Sequence, residues 1–164
     1  RAGLPMEAVG RIESGTQIPS LGPLIRLARA LGARLGTFLD DQENVGPVFV
    51  HSGERRKVMH FSDKSDSERS DLDLFSLAAN KAGRHMEPFL IDIYPSSAQD
   101  TKLSAHEGEE FIYVLSGEVE IVYGTETYRL GAGDSIYYDS IVAHHVHCSG
   151  DRPAQMLAVV YAPA

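Results

Sequence analysis

Cysteine is almost absent from this sequence, and long apolar runs are missing altogether. The single cysteine, Cys148, excludes an internal disulfide bond, which is typical of a reducing compartment. There is no run of about 18 apolar residues and no basic-then-apolar leader, so neither membrane spanning nor secretion is supported. We therefore expect a cytoplasmic protein with no membrane association. Because the sequence opens on Arg1 within a helical pattern, we also expect further residues to precede it.

Positive charge is scarce overall but concentrated at one end of the chain. The net charge is −8, yet residues 1–39 hold five arginines against two acids, a net charge of +3, which leaves −11 for the remainder. A basic head on an acidic body is expected when one small unit contacts DNA and the other does not. The alternative is a short segment that is basic by chance, and composition alone does not separate the two.

The first 40 residues have helical periodicity. Pro5 suits a first helical position and Gly15 a stop, while Ser20 suits an N-cap and Gly32 a second stop. The stretch ARLGTFLDD predicts one more short helix. We place a polar linker at residues 41–46, within the stretch DDQENVG that begins at Asp40.

After Pro47 the apolar period changes from about 3.6 to about 2 residues, which indicates strands. Ten β-prone segments follow at a spacing of roughly 8–12 residues, the pattern of an all-β barrel or sandwich. They are PVFVHSG, RKVMHF, LDLFSLA, EPFLIDIYP, EFIYVLSG, EVEIVYG, ETYRLGAG, DSIYYDS, HHVHCSG and QMLAVVYAP. The polar stretch at residues 62–71, SDKSDSERSD, predicts a solvated loop.

The helical head carries a recognisable set of residues: Ala2-Gly3, Arg11-Ile12-Glu13, Gly15, Pro19-Ser20 and the run from Leu27 to Gly32. This set resembles the second half of the helix-turn-helix domain of XRE-type bacterial repressors. The resemblance implies that the helix from Pro5 to Glu13 lies in the major groove of a double-stranded DNA operator. The implied DNA-binding residues are Met6, Glu7, Arg11 and Gln17.

The head departs from that family at the positions that would read bases. Such repressors commonly place Ser, Gln or Thr there, whereas this helix offers Met6, Glu7, Ala8 and Gly10. Glu7 can accept a hydrogen bond from cytosine, but it also repels phosphate. The alternative is a helical unit that keeps only a packing role.

A candidate metal site lies in the second half of the sequence. His106 and Glu110 are four residues apart, and we predict that they share one face of a strand. Downstream, histidines stand at positions 144, 145 and 147. Two histidines and one carboxylate suit a divalent transition metal with open coordination positions.

The spacing of these residues resembles the two motifs of the cupin fold. The first motif is Ser104-x-His106, three residues, Glu110, six residues and Gly117; the second begins at Gly133-Asp134, reaches His144 and ends at Cys148. The resemblance covers about residues 47–164. It implies a mainly β fold, a cupin double-stranded β-helix (jelly-roll barrel), behind the small N-terminal all-α helix-turn-helix unit at residues 1–40.

The cupin resemblance implies His106, Glu110 and His144 as ligands of a divalent metal, with Fe, Zn, Ni or Mn left open. Ser104 stands where another histidine is usual, which reduces four ligands to three and frees positions for a guest. We predict a pocket for a small-molecule effector, lined by Ser104, Ile112, Tyr138 and Cys148. The alternative is a cupin that has lost its metal, with these groups hydrogen-bonded in the barrel.

Residues near the ligands are expected to play lesser parts. Strand parity predicts that His145 and His147 face outward. It likewise predicts that Glu107 and Glu109 are solvated. Tyr113 and Tyr137 are expected to serve packing.

Two functions follow from these resemblances. Helical head plus cupin body resembles the cupin-containing XRE regulators, which predicts a DNA-binding regulator that senses a small molecule. A homodimer through the cupin domain would cover the outward residues Phe111, Tyr113 and Leu115. A cupin binding protein independent of DNA is a further possibility.

The second function is that of a mononuclear non-haem iron oxidase. The same layout, with a non-histidine at the first ligand position, resembles the iron-dependent hydroxypropylphosphonate epoxidases. A phosphonate substrate would require cationic or tyrosine donors, but the strand that presents tyrosines in those enzymes has Leu72 and Leu74 here. Lys81 and Lys102 are candidate substitutes. We therefore favour the regulator.

Overall fold

The structure, a computed structural model, describes residues 1–17, 19–39, 45–61, 72–95 and 103–163. Its helices are α1 (Met6–Glu13), α2 (Leu21–Ala30), α3 (Gly36–Leu39) and a 3₁₀ helix at Ser52–Glu54. Its strands are β1 (Arg56–Phe61), β2 (Leu72–Ser76), β3 (Met86–Ile93), β4 (Glu109–Ser116), β5 (Glu118–Tyr123), β6 (Glu126–Gly131), β7 (Ser135–Asp139), β8 (His144–Cys148) and β9 (Ala154–Tyr161). Most of the predicted linker, the predicted loop at 62–71 and Lys102 lie outside the described residues.

Two antiparallel sheets form the body. Six strands pair in the order β1-β2-β3-β9-β4-β7, and three pair in the order β6-β5-β8. Because side chains alternate along a strand, each sheet turns one apolar face towards the other. The fully buried residues on these inner faces include Phe89, Ile93, Ile112, Val114, Val119 and Ile121. The predicted mainly β barrel with a small helical unit in front of it is confirmed.

The helices lie where the sequence predicts them. Ser20 is the N-cap of α2, as predicted, whereas Pro5, predicted at the first helical position, is the N-cap of α1. Each helix ends two residues before its predicted glycine stop. The helical unit packs directly on the barrel. Leu24, Ile25 and Leu35 belong to the same buried cluster as the inner faces of the sheets.

Nine of the ten predicted β-prone segments contain a strand, and the first, PVFVHSG, does not. Residues 47–51 have no regular structure, and a 3₁₀ helix follows at Ser52–Glu54. Pro47 cannot donate to a sheet, glycine weakens a strand, and Phe49 is 80% exposed, so no apolar face anchors the segment. The period-two reading was wrong here.

The turn between β4 and β5 fixes the end of the barrel opposite the metal-ligand candidates. Gly117 has a φ of +75°, which favours glycine, and a Cβ there would lie 2.7 Å from Cα of Ala154. At the other end, β4, β7 and β8 bring Glu110, Tyr138 and His144 inward.

Candidate metal site

His106 is not on a strand, which corrects the sequence-based prediction. It precedes β4, in a segment held by backbone hydrogen bonds. Ser104 and His144 exchange two of them, each 2.8 Å long, and the His106 N–H donates to Ser140 O at 2.9 Å. His106 therefore meets Glu110 because this segment pairs with the start of β8, and not because of strand parity.

Gly108 lets the chain turn from this segment into β4. Its φ is +118°, and a Cβ at this position would collide with the backbone oxygen of Tyr161. The position therefore requires glycine, both for its backbone conformation and for its space.

The three predicted ligands converge at the inner end of the barrel. His106 Nε2 lies 2.8 Å from Glu110 Oε1, and His144 Nε2 lies 3.3 Å from the same oxygen. One ligand atom from each residue lies within 4.8 Å of the other two, and all three side chains are buried. Two ligands of one ion, each about 2.1 Å from it, are at most about 4.2 Å apart, so small shifts bring all three atoms into coordination range.

Hydrogen bonds keep Glu110 ionised. Burial alone would raise its pKa, but hydrogen bonds with His106, His144 and Tyr138 outweigh burial and hold the pKa of Glu110 well below its usual range. For His144, burial lowers the pKa, but the bonds to Glu110 and to Val142 O outweigh it and raise the pKa overall. The cluster therefore combines a buried carboxylate in its ionised form with a His144 imidazole whose positively charged form is favoured.

The outer nitrogen of each imidazole is anchored to backbone. Nδ1 of His106 lies 3.2 Å from Glu107 O, and Nδ1 of His144 lies 2.8 Å from Val142 O. A ring that donates from Nδ1 presents, when neutral, an unprotonated Nε2. Two such lone pairs then face the ionised Glu110, an arrangement that requires a cation among them. Protons on the imidazoles or one metal ion would supply it, so the donor set fits a divalent transition metal.

Two tyrosines that border the cluster lie on facing sheets. The Tyr138 hydroxyl donates to Glu110 Oε2 at 2.7 Å, and burial together with the Glu110 charge raises the pKa of Tyr138 far above its usual value. The ring centroids of Tyr123 and Tyr138 are 5.2 Å apart. The Tyr123 hydroxyl donates a hydrogen bond to Asp139 O. Sequence reasoning missed Tyr123, although it shares strand parity with the buried residues Val119 and Ile121.

The other predicted pocket residues have different surroundings. Ile112 is buried on the inner face of β4, next in parity to Glu110. The Cys148 thiol donates to Arg152 O at 2.9 Å, four residues along β8 from His144. The Ser104 hydroxyl lies against Gly22 of α2.

The outward residues are paired with neighbours. His147 Nε2 lies 3.3 Å from Glu120 Oε1, and the ring of His147 stacks on that of His145. The Tyr137 hydroxyl donates to Glu109 Oε2 at 2.6 Å. Glu107, expected to be merely solvated, forms an ion pair with Arg29 of α2.

Three of the predicted DNA-binding residues, Met6, Glu7 and Arg11, are exposed residues of α1, and Gln17 follows the helix. Met6 is 87% exposed. Arg11 joins the other two, with Nη1 donating to Glu7 Oε1 at 2.6 Å and Nε donating to Gln17 Oε1 at 2.8 Å. In the part of the chain that the structure describes, no helix has the length and apolarity needed to cross a membrane.

Residues 90–160 match the family model of the cupin domain, Cupin_2. The sequence is 25% identical over 149 residues to (S)-2-hydroxypropylphosphonic acid epoxidase of Streptomyces wedmorensis, an alignment that covers 85% of this chain and 73% of that protein. An HTH_3 family transcriptional regulator from Vibrio cholerae is similar in structure, with a TM-score of 0.66 and 20% identity over 99% of this chain and 83% of that one. The Fe(II) form of the epoxidase, HppE, gives a TM-score of 0.60 and 24% identity over 98% and 86%.

The fold is that of a cupin β-barrel with a small helical unit before it, and residues 90–160 of the barrel match the cupin domain model. The chain is similar in fold to the transcriptional regulator, and in both sequence and fold to the epoxidase. It carries a His-Glu-His group that could hold a metal ion.

Proposed function

We propose that this protein is a DNA-binding transcriptional regulator whose cupin barrel holds a divalent metal and, beside it, a small-molecule effector. One observation carries the proposal. The buried cluster of His106, Glu110 and His144 lies next to a helical unit whose first helix, α1, is exposed. The double-stranded operator would meet α1 through Met6, Glu7, Arg11 and Gln17.

The exposure of α1 supports the DNA-binding half of the proposal. None of its eight residues, all of which the structure describes, is buried. The hydrogen bonds of Arg11 are to exposed partners on the same unit, so exchanging them for phosphate or base contacts requires no change in the core.

The chemistry of His106, Glu110 and His144 supports the metal-binding half. Three protein ligands leave coordination positions open, and a metal bound there would supply a Lewis-acid centre for an oxygen or nitrogen donor of the effector. Tyr138 fixes the free oxygen of Glu110, and Ile112 presents an apolar wall beside it. The Ser104 hydroxyl faces Gly22 of α2, so Ile112, Tyr138 and Cys148 are the predicted pocket residues that remain in the proposed effector pocket.

The outer face of the larger sheet supports a homodimer. Tyr113 and Leu115 on β4 are 38% and 43% exposed, and Phe111 lies on the same face. Apolar side chains in a row on a sheet are typical of a surface that another chain covers. A second copy would also supply the second α1 helix that an operator with two half-sites requires.

A gel-shift experiment tests the DNA-binding proposal. Genomic fragments retained by the protein at low salt are re-tested at rising salt, with and without added Co(II). We expect a specific complex that weakens steeply with salt and changes affinity when metal is added. Failure to retain any fragment in either condition contradicts the regulator.

The second candidate is an iron-dependent oxidase, and the 25% identity to the epoxidase favours it. Two features speak against a phosphonate substrate. Leu74 is buried in the barrel, where a polar donor would be required, and Lys81 donates to the backbone oxygens of Val45 and Ala82. Oxygen consumption by the Fe(II)-loaded protein with (S)-2-hydroxypropylphosphonic acid, without DNA binding, would reverse the order of the two candidates.

A further inference from the structure

One face of α2 lies against the short segment that carries His106. Gly22, Arg26 and Arg29 are spaced four and three residues apart, so they share that face. Arg26 Nη1 donates to Ala105 O at 2.8 Å, and Arg29 forms an ion pair with Glu107. The helix therefore holds the residues immediately before and after His106.

Gly22 provides the close approach that this docking requires. A Cβ built on Gly22 would collide with Oγ of Ser104, and it would lie 3.4 Å from Cβ of Ser104, an ordinary contact. Ser104 is itself joined to His144 by the two-way backbone bridge. The helix thus touches the segment at three points, and both histidine ligands belong to that framework.

The contact includes two costly polar atoms. Arg26 Nε and Ser104 Oγ are buried, and neither finds a hydrogen-bond partner among the described residues. Burying unpaired polar atoms destabilises a protein, so apolar side chains would serve a purely structural contact better. The guanidinium at this position places Nη1 within hydrogen-bond distance of Ala105 O.

We propose that Gly22, Arg26 and Arg29 are positioning residues for the metal ligand His106, so that metal binding and the docking of α2 stabilise each other. This inference rests on the metal site proposed above. Glu107 connects Arg29 of α2 with the imidazole of His106. Its side chain pairs with Arg29, and its backbone oxygen lies 3.2 Å from Nδ1 of His106, the atom that orients the imidazole.

The coupling is reciprocal by thermodynamic necessity: whatever α2 contributes to metal affinity, the metal returns to α2 docking. The metal site would then act on the helical unit through side chains in direct contact. A route through the linker is not required.

Metal titration of the full chain tests the positioning role, with Co(II) as the probe and its visible absorption as the signal. Arg26→Met keeps the aliphatic stem but removes the donor to Ala105 O. We expect Co(II) to bind about tenfold more weakly, the loss usual for groups that orient metal ligands, and the Co(II) spectrum to shift. Arg26→Lys, which keeps a donor, should recover part of the affinity.

Arg129→Met is the matched control for loss of an arginine. Arg129 is exposed on β6 and pairs with Glu120, away from the segment at residues 104–107. The Co(II) affinity of Arg129→Met should equal that of the wild type. Equal affinities in Arg26→Met and wild type, with both folded by circular dichroism, would overturn the inference and leave the metal site standing.

Gly22→Ala gives an independent cycle with Ser104→Ala. The alanine methyl at position 22 should push the helix from Ser104 and weaken Co(II) binding severalfold. Removing the Ser104 hydroxyl deletes the atom it meets, so the double variant should regain most of the lost affinity. Additive losses in the double variant would refute the proposed contact.

Hydrogen exchange measures the reverse effect, that of metal binding on the docking of α2. Adding Co(II) to the wild type should slow exchange of amides at residues 21–30, and this protection should be smaller in Arg26→Met. Protection of equal size in both proteins contradicts the inference alone. A wild type that binds no Co(II) at all contradicts both the metal site and this inference.

Discussion

Helices α1 and α2 look alike in sequence but are used in opposite ways. Each is short and amphipathic, and each carries an arginine in its last turn, Arg11 in α1 and Arg29 in α2. Arg11 bonds to Glu7 and Gln17 within the helical unit, whereas Arg29 reaches across to Glu107 of the barrel. Only α2 buries side chains in the core.

This difference changes how the positive charge of residues 1–39 is interpreted. Of its five arginines, Arg26 and Arg29 contact the segment at residues 104–107, so part of the positive charge serves docking on an acidic barrel. Composition counts both kinds of arginine equally and assigns them to DNA. In the structure, α1 is exposed, whereas α2 packs against the barrel.

The largest contrast is expected from removing the shared carboxylate of the metal site. Glu110→Ala deletes the group that contacts both histidines, so Co(II) affinity should fall more than about 100-fold. In the wild type, Co(II) should protect the amides of α2 and leave those of α1 unchanged. In Glu110→Ala, neither helix should respond.

Metal stoichiometry by elemental analysis and hydrogen exchange on the same samples provide the measurement. Glu109→Ala is the matched control, because Glu109 bonds Tyr137 on the outer side of β4. Unchanged stoichiometry in Glu110→Ala would remove the metal site, and Co(II) protection of α1 would erase the distinction between the helices.

Truncating one isoleucine in each helix tests the comparison through stability. Ile25 of α2 is 4% exposed within the core cluster, whereas Ile12 of α1 is only partly buried. Ile25→Ala should lower the free energy of unfolding by about 2–5 kcal/mol through lost burial and a cavity. Ile12→Ala should cost at most about 1 kcal/mol. Urea unfolding of both variants measures the difference, and equal losses would mean that α1 is as much part of the core as α2.

Local sequence pattern was sufficient for most of the fold. Period-two alternation and turn residues located nine strands, and capping residues located the ends of α1 and α2. It failed at PVFVHSG, where β-prone side chains find no partner strand. Propensity describes a residue's local preference, and pairing with a distant strand decides whether the preference is realised.

The candidate site was predicted in part, and for a reason that was partly wrong. The spacing selected His106, Glu110 and His144, and the structure brings these three together. The predicted common strand for His106 and Glu110 does not exist, because the 104–108 segment is placed by pairing with His144 and Ser140.

The contacts of α2 could not be predicted from sequence at all. Arg26 and the oxygen it bonds are 79 residues apart in the chain. No periodicity records such a long-range partner. The signal available was Gly22, a glycine within a helix, where glycine costs about 1 kcal/mol relative to alanine and usually marks a close approach.

Neutralising an arginine in each helix tests the DNA-binding half of the comparison. Arg11→Ala should weaken binding to a retained genomic fragment about tenfold, because it removes the main donor of the exposed face. The slope of log Kd against log salt should also fall by about 1. Arg29→Ala removes the same charge from α2 and should change Kd less than about twofold in a chelator-containing buffer. Equal losses would show that DNA senses only the net charge of the head.

The smallest effect is expected at Glu7, and its sign is the informative quantity. Glu7 lies in the first turn of α1 and accepts a hydrogen bond from Arg11, so it both repels phosphate and occupies the nearest donor. Glu7→Gln should tighten DNA binding by about two- to threefold at low salt, with the gain shrinking as salt screens the charge. The substitution also removes an acid from a helix N-terminus, which costs about 0.3–1 kcal/mol of helix stability. A thermal unfolding measurement separates that loss from binding. Weaker binding by a fully folded Glu7→Gln variant would mean that Glu7 contacts a base as an acceptor, in which case the loss should depend on the presence of cytosine in the bound fragment.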